Sequence, residues 1–465
     1  MSEESGPASS GPVANARETA DSEMALVDDG RVDPHRARAI TELAVRIGAL
    51  ALSSGSSAAR TETLVRRVVG AHGLPVQLDV TYSRIMLSYE PAALAAPITI
   101  IRSVLPDQTD YDRLQRVEGL VREIHRGEVD VETATARLNH IATAPFEHPR
   151  WFRLFAAGVL GAAIGLLIGG SLMDMLVSAI STMLVDETRQ QLERWTMGSF
   201  FTTAVCAAIP TSLALLVLAL QHWASPALPA MNPSLVIAAG MVSLLAGMGT
   251  VAAAGDAIDG SFLGAGARIV EVVVTTGGIV LGLVTTLWLG RSLGVTAQLE
   301  PGASQNPNHW IQLVCAGMVA LAFGVRFMMR TRALVTTTGL GLLLWASYLA
   351  AHWITASHPA RVAIAALVVG FTARIVVRWL HIPVLALTTT AVAPLMPGVM
   401  LYRGVFAITD EDPTTATWLL LSSTYVAVGL AAGTSFGAML AALVLYRRRE
   451  GGPAERYALV EQAHG

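Results

Sequence analysis

The pattern of apolar and polar residues changes near Trp151. Beyond this residue, apolar runs of about twenty residues recur as far as Tyr446, separated by short polar or Gly-rich connections. Because a helix of that length crosses the hydrocarbon core of a bilayer, the pattern predicts a polytopic α-helical membrane protein. The ten predicted spans cover residues 152–170, 172–186, 199–220, 234–254, 269–290, 309–328, 333–354, 361–379, 383–402 and 415–446.

Two of the predicted spans resemble each other. Residues 234–256 and 385–407 are both apolar, are both interrupted by glycine, and carry an Ala-Gly or Pro-Gly step at matching places. Each segment is followed by an acidic turn and by one further apolar span. Ten spans divide into two sets of five, and because five is odd, the second set must enter the bilayer from the opposite side. The sequence therefore predicts a five-plus-five inverted repeat, an arrangement typical of secondary transporters.

The polar first third of the chain predicts a different kind of structure. Residues 1–34 contain few large apolar side chains and predict a disordered tail. Residues 35–149 combine helical patterns with an alternating, strand-like segment, which predicts a small α/β domain. The first membrane repeat is then expected at 150–291, the second at 308–447, and a polar tail at 448–465.

Arginine residues are concentrated on one side of the predicted spans. Only Arg291, Arg361 and Arg403 flank the other side. By the positive-inside rule, both termini and the α/β domain are expected in the cytoplasm. We therefore expect a multi-pass protein of the bacterial cell membrane.

Composition argues against several other classes of protein. Hydrophobic residues make up 53% of the chain and charged residues 14%, and the net charge of −3 gives no indication of nucleic-acid binding. Cys206 and Cys315 both fall in apolar spans and predict small buried side chains rather than a disulfide or a metal site. The chain has no Walker A sequence and no spacing typical of a nucleophile with its base. We therefore expect neither an enzyme nor a cofactor.

The segment APLMPGVMLYRGVF is the first candidate for a binding site. Pro394 and Pro397 each lack a backbone N–H donor and Gly398 favours a bend, so the ninth span is expected to be broken. A simple proline kink is the alternative. Broken helices at membrane depth line cavities and present the dipoles of their ends to ionic ligands. The predicted substrate-binding residues, from this segment and its counterpart, are Gly247, Gly249, Pro394, Pro397, Gly398, Tyr402 and Arg403.

Acidic residues near the membrane form the second candidate group. Several lie in or beside the segment GDAIDGSFLGAGARIVE, between the fourth and fifth spans. Ionisable groups at a membrane are functional candidates, either as proton carriers or as partners for a zwitterion. The alternative is an interfacial loop whose charges face water. The predicted proton-coupling residues are Asp256, Asp259, Glu271 and Asp174.

Together these segments resemble the threonine/serine exporter family. The resemblance covers residues 38–446 and is strongest at Gly55 to Gly73, at Gly247 to Arg268 and at Pro394 to Gly404. It implies efflux of small amino acids from the cytoplasm, with the proton motive force as the energy source. Relatives show a Pro-Gly step in the first half, where Ala246 stands here, so a less sharp break is expected in the fourth span than in the ninth.

The leading hypothesis is a secondary-active exporter of threonine and serine that works by alternating access. An exporter of a dicarboxylate such as succinate is an alternative, ranked lower because few arginines are expected at membrane depth. A non-transporting regulatory membrane protein is another, with the α/β domain as its working part. The expected partners are the amino acid, protons and the lipid bilayer, and the Gly-rich helices are compatible with a homodimer.

Overall fold

A computed structural model gives the architecture of most of the chain. It describes residues 33–81, 83–90, 97–104, 109–145, 148–224, 231–242, 244, 246–295, 306–380, 382–409 and 412–447. The predicted C-terminal tail and almost all of the predicted N-terminal tail lie outside the described residues. Helices predominate and one small sheet lies near the amino terminus. This confirms the predicted fold class, a polytopic helical membrane protein with a small α/β domain.

The N-terminal part combines four helices with a three-stranded antiparallel sheet in the order β1-β2-β3. Ile40, Leu43 and Ile47 on one face of the first helix are buried together with Ile85 and Leu87 of the second strand. Alternation along that strand sends every second side chain into this core, as its sequence predicts. The elements are α1 (Pro34–Ser53), α2 (Ala58–Gly70), β1 (Val76–Val80), β2 (Arg84–Tyr89), β3 (Ile98–Ser103), α3 (Tyr111–His125) and α4 (Val131–Thr143).

The rest of the described chain is helical. The helices are α5 (Arg150–Leu167), α6 (Leu172–Arg194), α7 (Ser199–Ala224), α8 (Pro233–Val242), α9 (Ala246–Ile258), α10 (Phe262–Ser292), α11 (His309–Arg326), α12 (Thr331–Ala350), α13 (His358–Leu380), α14 (Val384–Ala391), α15 (Gly398–Thr409) and α16 (Pro413–Arg447). Each of the ten predicted spans coincides with one of these helices or with a pair of them.

Fewer than ten of the described helices have the length and apolar composition that a membrane span requires. Among the described residues, seven helices are long and apolar enough to cross a membrane, or eight if the bent pair of α14 and residues 393–404 counts as one. Helix α6 falls outside this set because its last part carries several charged residues. Helices α8 and α9 fall outside it because each is short, with 10 and 13 residues.

The two halves of the membrane part repeat one packing pattern. In the first half α6 packs on α5, α7 packs on α10, and α9 packs on α10. In the second half α12 packs on α11, α13 packs on α16, and α15 packs on α16. The fourth unit is interrupted in both halves, between α8 and α9 and between α14 and α15. This repetition agrees with the repeat predicted from the two similar segments.

Glycine allows the longest helices to approach closely. A Cβ atom on Gly282 of α10 would lie 2.1 Å from the carbonyl oxygen of Ala204 in α7. A Cβ atom on Gly437 of α16 would lie 2.1 Å from the carbonyl oxygen of Leu367 in α13. The equivalent helix pairs of both halves therefore touch through backbone atoms, as is typical of small-residue contacts in membranes.

The substitution Gly282→Ala is expected to lower the free energy of unfolding by about 1–3 kcal/mol, because the new methyl group collides with backbone that cannot rotate away. Thermal unfolding in detergent measures the effect. Gly339→Ala in α12 is the matched control, since nothing lies within 4 Å of a Cβ atom there. Equal melting temperatures for the two variants would contradict the close contact between α7 and α10.

Candidate functional site

The two helix breaks contact each other. Pro394 lies in a short 3-10 turn after α14, Pro397 directly precedes α15, and Gly398 is the first residue of α15. The bend across this segment is 42°, as the sequence led us to expect. A Cβ atom on Gly398 would lie 3.3 Å from a side-chain methyl of Val242, the last residue of α8. The interrupted segments of the two halves therefore pack directly on one another.

A cavity of about 660 Å³ opens beside this contact, on the side of the α/β domain. Its apolar wall comes from both breaks, through Leu244 and Met248 of the first half and Val392 and Met396 of the second. The α/β domain supplies another part of the wall, including Tyr111 and the loop between α1 and α2. The cavity is thus shared by both membrane halves and the α/β domain.

Charged side chains of both signs line the cavity. The arginines are Arg60, Arg153, Arg189, Arg268, Arg326 and Arg374. The carboxylates are Glu118, Asp186, Glu193, Asp256, Asp259 and Glu271. Since the two groups are equal in number, the described lining carries no net formal charge. Such a lining suits a ligand with one positive and one negative group better than a dianion.

An ion pair joins Asp256 near the end of α9 to Arg268 near the start of α10. The Arg268 Nε donates to the Asp256 Oδ2 at 2.7 Å, and the two side chains are 25% and 13% exposed. Gly260 makes the turn between these helices with a φ of 80°, a left-handed conformation that glycine adopts without strain. Gly264 leaves room for the carboxylate, since a Cβ atom there would lie 3.3 Å from the same Oδ2. Local sequence therefore brings these two charges together.

A second ion pair joins the two membrane halves. Arg326 at the end of α11 donates through its Nη1 to the Oδ1 of Asp186 in α6 at 2.6 Å. The Nε2 of Gln190 donates to the other oxygen of this carboxylate at 2.9 Å. Charge-assisted contacts of this kind are stronger than neutral hydrogen bonds, so this one ties α6 to α11 at the cavity wall.

Tyr111 fastens the α/β domain to the membrane part. Its backbone N–H donates to the carbonyl oxygen of Phe327 at 3.0 Å, and the two rings pack edge to face at 5.5 Å. Its phenol makes a hydrogen bond with Thr389 of α14, and burial raises the pKa of Tyr111 to about 12. The phenol therefore stays neutral at physiological pH. Next to it, Asp112 pairs with Arg330 at 2.5 Å.

Four of the residues predicted from the sequence line this cavity: Gly249, Asp256, Asp259 and Glu271. Asp256 is half-buried, whereas Asp259 and Glu271 are exposed. Asp256 is thus the best enclosed of the three acidic candidates.

Pro394, Pro397 and Gly398 form the break itself, next to the lining residues Val392 and Met396, rather than the described cavity wall. Gly247 lies in the first turn of α9, close to the lining residue Met248.

The structure separates Tyr402 and Arg403 from the other candidates. Both lie more than one helical turn beyond the break, along α15, and neither is part of the described cavity wall. Tyr402 is buried in an apolar cluster that includes Ile237, Met241 and Leu244. The sequence placed Tyr402 and Arg403 in one group with Gly398 because it gives no indication of which side of the break each residue faces.

Asp174, the fourth predicted proton-coupling residue, also lies away from the described cavity wall. It is 3% exposed. Its Oδ2 accepts from the backbone N–H and the hydroxyl of Ser171, both at 2.8 Å, which forms a capping box at the start of α6. Its Oδ1 accepts from the backbone N–H of Asn232 at 2.8 Å. In the second predicted acidic turn, Asp410, Glu411 and Asp412, the first two residues lie outside the described residues.

Sequence reasoning missed several cavity residues. Asp186 and Arg326 are 140 positions apart, so no local pattern connects them. Both lie at the ends of apolar runs, where a charge is ordinarily a membrane flank. The sequence shows only an acidic residue at one such end and an arginine at another. Their contact depends on how the helices pack, which the structure shows.

Comparison with known proteins gives matches over most of the chain. A family described as a putative threonine/serine exporter matches residues 42–290, and one described as threonine/serine exporter, ThrE, matches residues 312–440. The division between the two falls at the connection between α10 and α11, where the first packing repeat ends.

Two relatives match nearly the whole chain. A probable threonine/serine exporter of Mycobacterium tuberculosis is 29% identical over 428 residues, which are 90% of this chain and 79% of that protein. A threonine/serine exporter of Corynebacterium glutamicum is 30% identical over 413 residues, or 87% of this chain and 82% of that protein. No solved structure matches.

Proposed function

Because the chain belongs to the threonine/serine exporter family, we propose that it carries small amino acids, threonine and serine among them, out of the cytoplasm. The family is one of transporters, in agreement with the expectation that the chain is not an enzyme. The α/β domain and both termini are placed in the cytoplasm in this proposal, so the cavity opens toward the side from which substrate comes.

The charge balance of the cavity carries the proposal. An amino acid at neutral pH has one ammonium and one carboxylate, and the lining offers both arginines and carboxylates next to the helix breaks. Asp256 and Arg268 are already within hydrogen-bond distance of each other, so a zwitterion can insert between them and pair with both. A dicarboxylate would leave Asp256 facing a like charge, which disfavours the succinate alternative.

Coupling to protons is proposed to act through Asp256, with Asp259 and Glu271 as neighbours in the same cavity. An ionised carboxylate binds the substrate ammonium, whereas a protonated one does not. Substrate and proton therefore exclude each other, which is the condition for exchanging one against the other across the membrane. Alternating access would then be movement of the two halves about the contact between Gly398 and Val242, with Tyr402 and Arg403 lining the outward opening.

Transport in proteoliposomes tests this function directly. Labelled threonine and labelled succinate are compared, each with and without an imposed pH gradient. We expect threonine flux that rises with the gradient and succinate flux near the level of empty liposomes. Flux of succinate alone would contradict the proposal that threonine is a substrate. If folded, inserted protein transports neither compound, the regulatory alternative is favoured.

A further inference from the structure

One face of α6 carries buried polar side chains along the membrane part. Asp174, Ser178, Thr182 and Asp186 follow one another at intervals of four residues, so each lies about one turn above the last in a row that winds about 120° around the helix. Asp174 is 3% exposed, Ser178 and Thr182 are 0% exposed, and Asp186 is 9% exposed. Ser181, beside this line, is also fully buried. The line is about 18 Å long, at a rise of about 1.5 Å per residue.

The Thr182 hydroxyl donates to the carbonyl oxygen of Ser178 at 2.7 Å, but the neighbouring serine hydroxyls are not paired in this way. The Oγ atoms of Ser178 and Ser181 are buried without a hydrogen-bond partner among the described residues, as is the Oγ of Ser234 in the first turn of α8. Leaving such a group unpaired costs about 1–3 kcal/mol. Alanine would fill the same positions without this cost, so a purely structural interface gains nothing from them. Buried polar groups of this kind are the sites at which internal water is held.

The two ends of the line differ in their surroundings. At one end Asp174 is held by Ser171 and Asn232, at the start of α6. At the other end Asp186 pairs with Arg326 and lines the cavity. Besides Arg326, the charged or titratable residues on the helices that pack against α6 are Arg150 and Arg153 of α5 and Cys206 and His222 of α7.

We propose that this face of α6 conducts protons between the Asp174 side of the membrane and Asp186 at the cavity. The inference rests on the proposed proton-coupled export. Each serine hydroxyl accepts a proton from a bridging water on one side and releases its own proton to the water on the other, and Thr182 relays in the same way once its hydroxyl turns away from the Ser178 carbonyl oxygen. No bond other than O–H bonds forms or breaks, and no oxidant or reductant is needed. The proton leaves the solution beyond Asp174 and ends on the Asp186 carboxylate.

Such a path would connect the cavity carboxylates with the opposite side of the membrane. The cavity carboxylates lie on the α/β-domain side of the helix breaks. Beyond the break along α15, Tyr402 is buried in an apolar cluster with Ile237 and Met241. A proton that reaches Asp186 changes the described lining from balanced to net positive. This disfavours the substrate ammonium, so arrival of the proton promotes substrate release.

The test uses Ser178→Ala and Ser181→Ala, separately and combined, in the full-length protein in proteoliposomes. Two quantities are measured: threonine exchange at equal pH on both sides, and threonine flux driven by a pH gradient, with a trapped pH-sensitive dye reporting the accompanying proton movement. We expect the double variant to keep its exchange rate within about twofold and to lose gradient-driven flux and proton movement by about tenfold or more. Ser423→Ala is the matched control, because that buried hydroxyl already donates to the carbonyl oxygen of Leu420 at 2.7 Å.

The outcomes separate this inference from the proposed function. If the double variant retains gradient-driven flux, the path is overturned while export stands. If it loses exchange as well, the hydroxyls serve the substrate pathway or the fold, and the path is again overturned. Wild-type protein that exchanges threonine without any response to the gradient would overturn proton coupling and the path together. Wild-type protein that moves no threonine would overturn the proposed function itself.

Discussion

Replacing Asp256 with asparagine is expected to reduce gradient-driven threonine export by about tenfold or more, with the protein still folded. The amide has nearly the size of the carboxylate, so the turn between α9 and α10 is preserved. It lacks the negative charge that faces Arg268 at 2.7 Å and can neither pair with an ammonium nor take up a proton. Initial rates in proteoliposomes, normalised to the amount of inserted protein, measure the effect.

Asp412→Asn provides the control for this substitution. Asp412 occupies the matching turn of the second half, where it caps α16 by accepting from the backbone N–H of Thr415 at 3.1 Å. Hydrogen bonds from Thr414 and Thr415 lower the pKa of Asp412 to about 2, so it stays ionised and is no proton carrier at physiological pH. Asparagine caps helices equally well. We expect unchanged export from this variant, and wild-type export from Asp256→Asn would refute the assigned role.

The matching turns show how the two halves have diverged on one architecture. Both halves place a broken segment before a long helix, and the long helices pack through glycine in the same way. In the first half, the acid Asp256 and the arginine Arg268 are in contact across the turn. In the second half, Asp412 caps α16.

Much of this fold could be predicted because its causes are local. Apolar runs determine where helices lie, and the prolines of APLMPGVM remove backbone donors, so the ninth span breaks where predicted. Asp110 and Asp130 precede helical patterns and cap α3 and α4 through Arg113 and Thr133. Each of these features depends on residues within one or two turns of each other.

The contacts that the sequence could not predict are long-range. The pair of Asp186 and Arg326, and the hydrogen bond of Tyr111 to Thr389, connect segments far apart in the chain. The burial of the polar residues along α6 could not be predicted from the sequence either. Its residues are spaced by four within a run of mixed composition, so hydropathy alone gave a short span that ended at 186. Knowing that α6 is covered by α5, α7 and α8 shows that these polar groups are buried.

Substituting leucine for Gly398 is expected to reduce threonine export by about tenfold to a hundredfold, because it separates the two breaks that form the apolar cavity wall. Even a Cβ atom at this position would lie 3.3 Å and 3.6 Å from the two methyl groups of Val242, so a full leucine must push α15 away from α8. Export and threonine binding are measured together, since a displaced break should weaken both.

Gly339→Leu in α12 is the control, because its Cβ atom would meet nothing within 4 Å. It adds the same side chain to a membrane helix without touching the breaks, and we expect wild-type export from it. Alanine at Gly398 should give an intermediate loss, because Val242 must yield by only a few tenths of an ångström. A graded loss from glycine through alanine to leucine would follow the distance between the two halves. Normal export with leucine at Gly398 would show that the contact between the breaks does not govern transport.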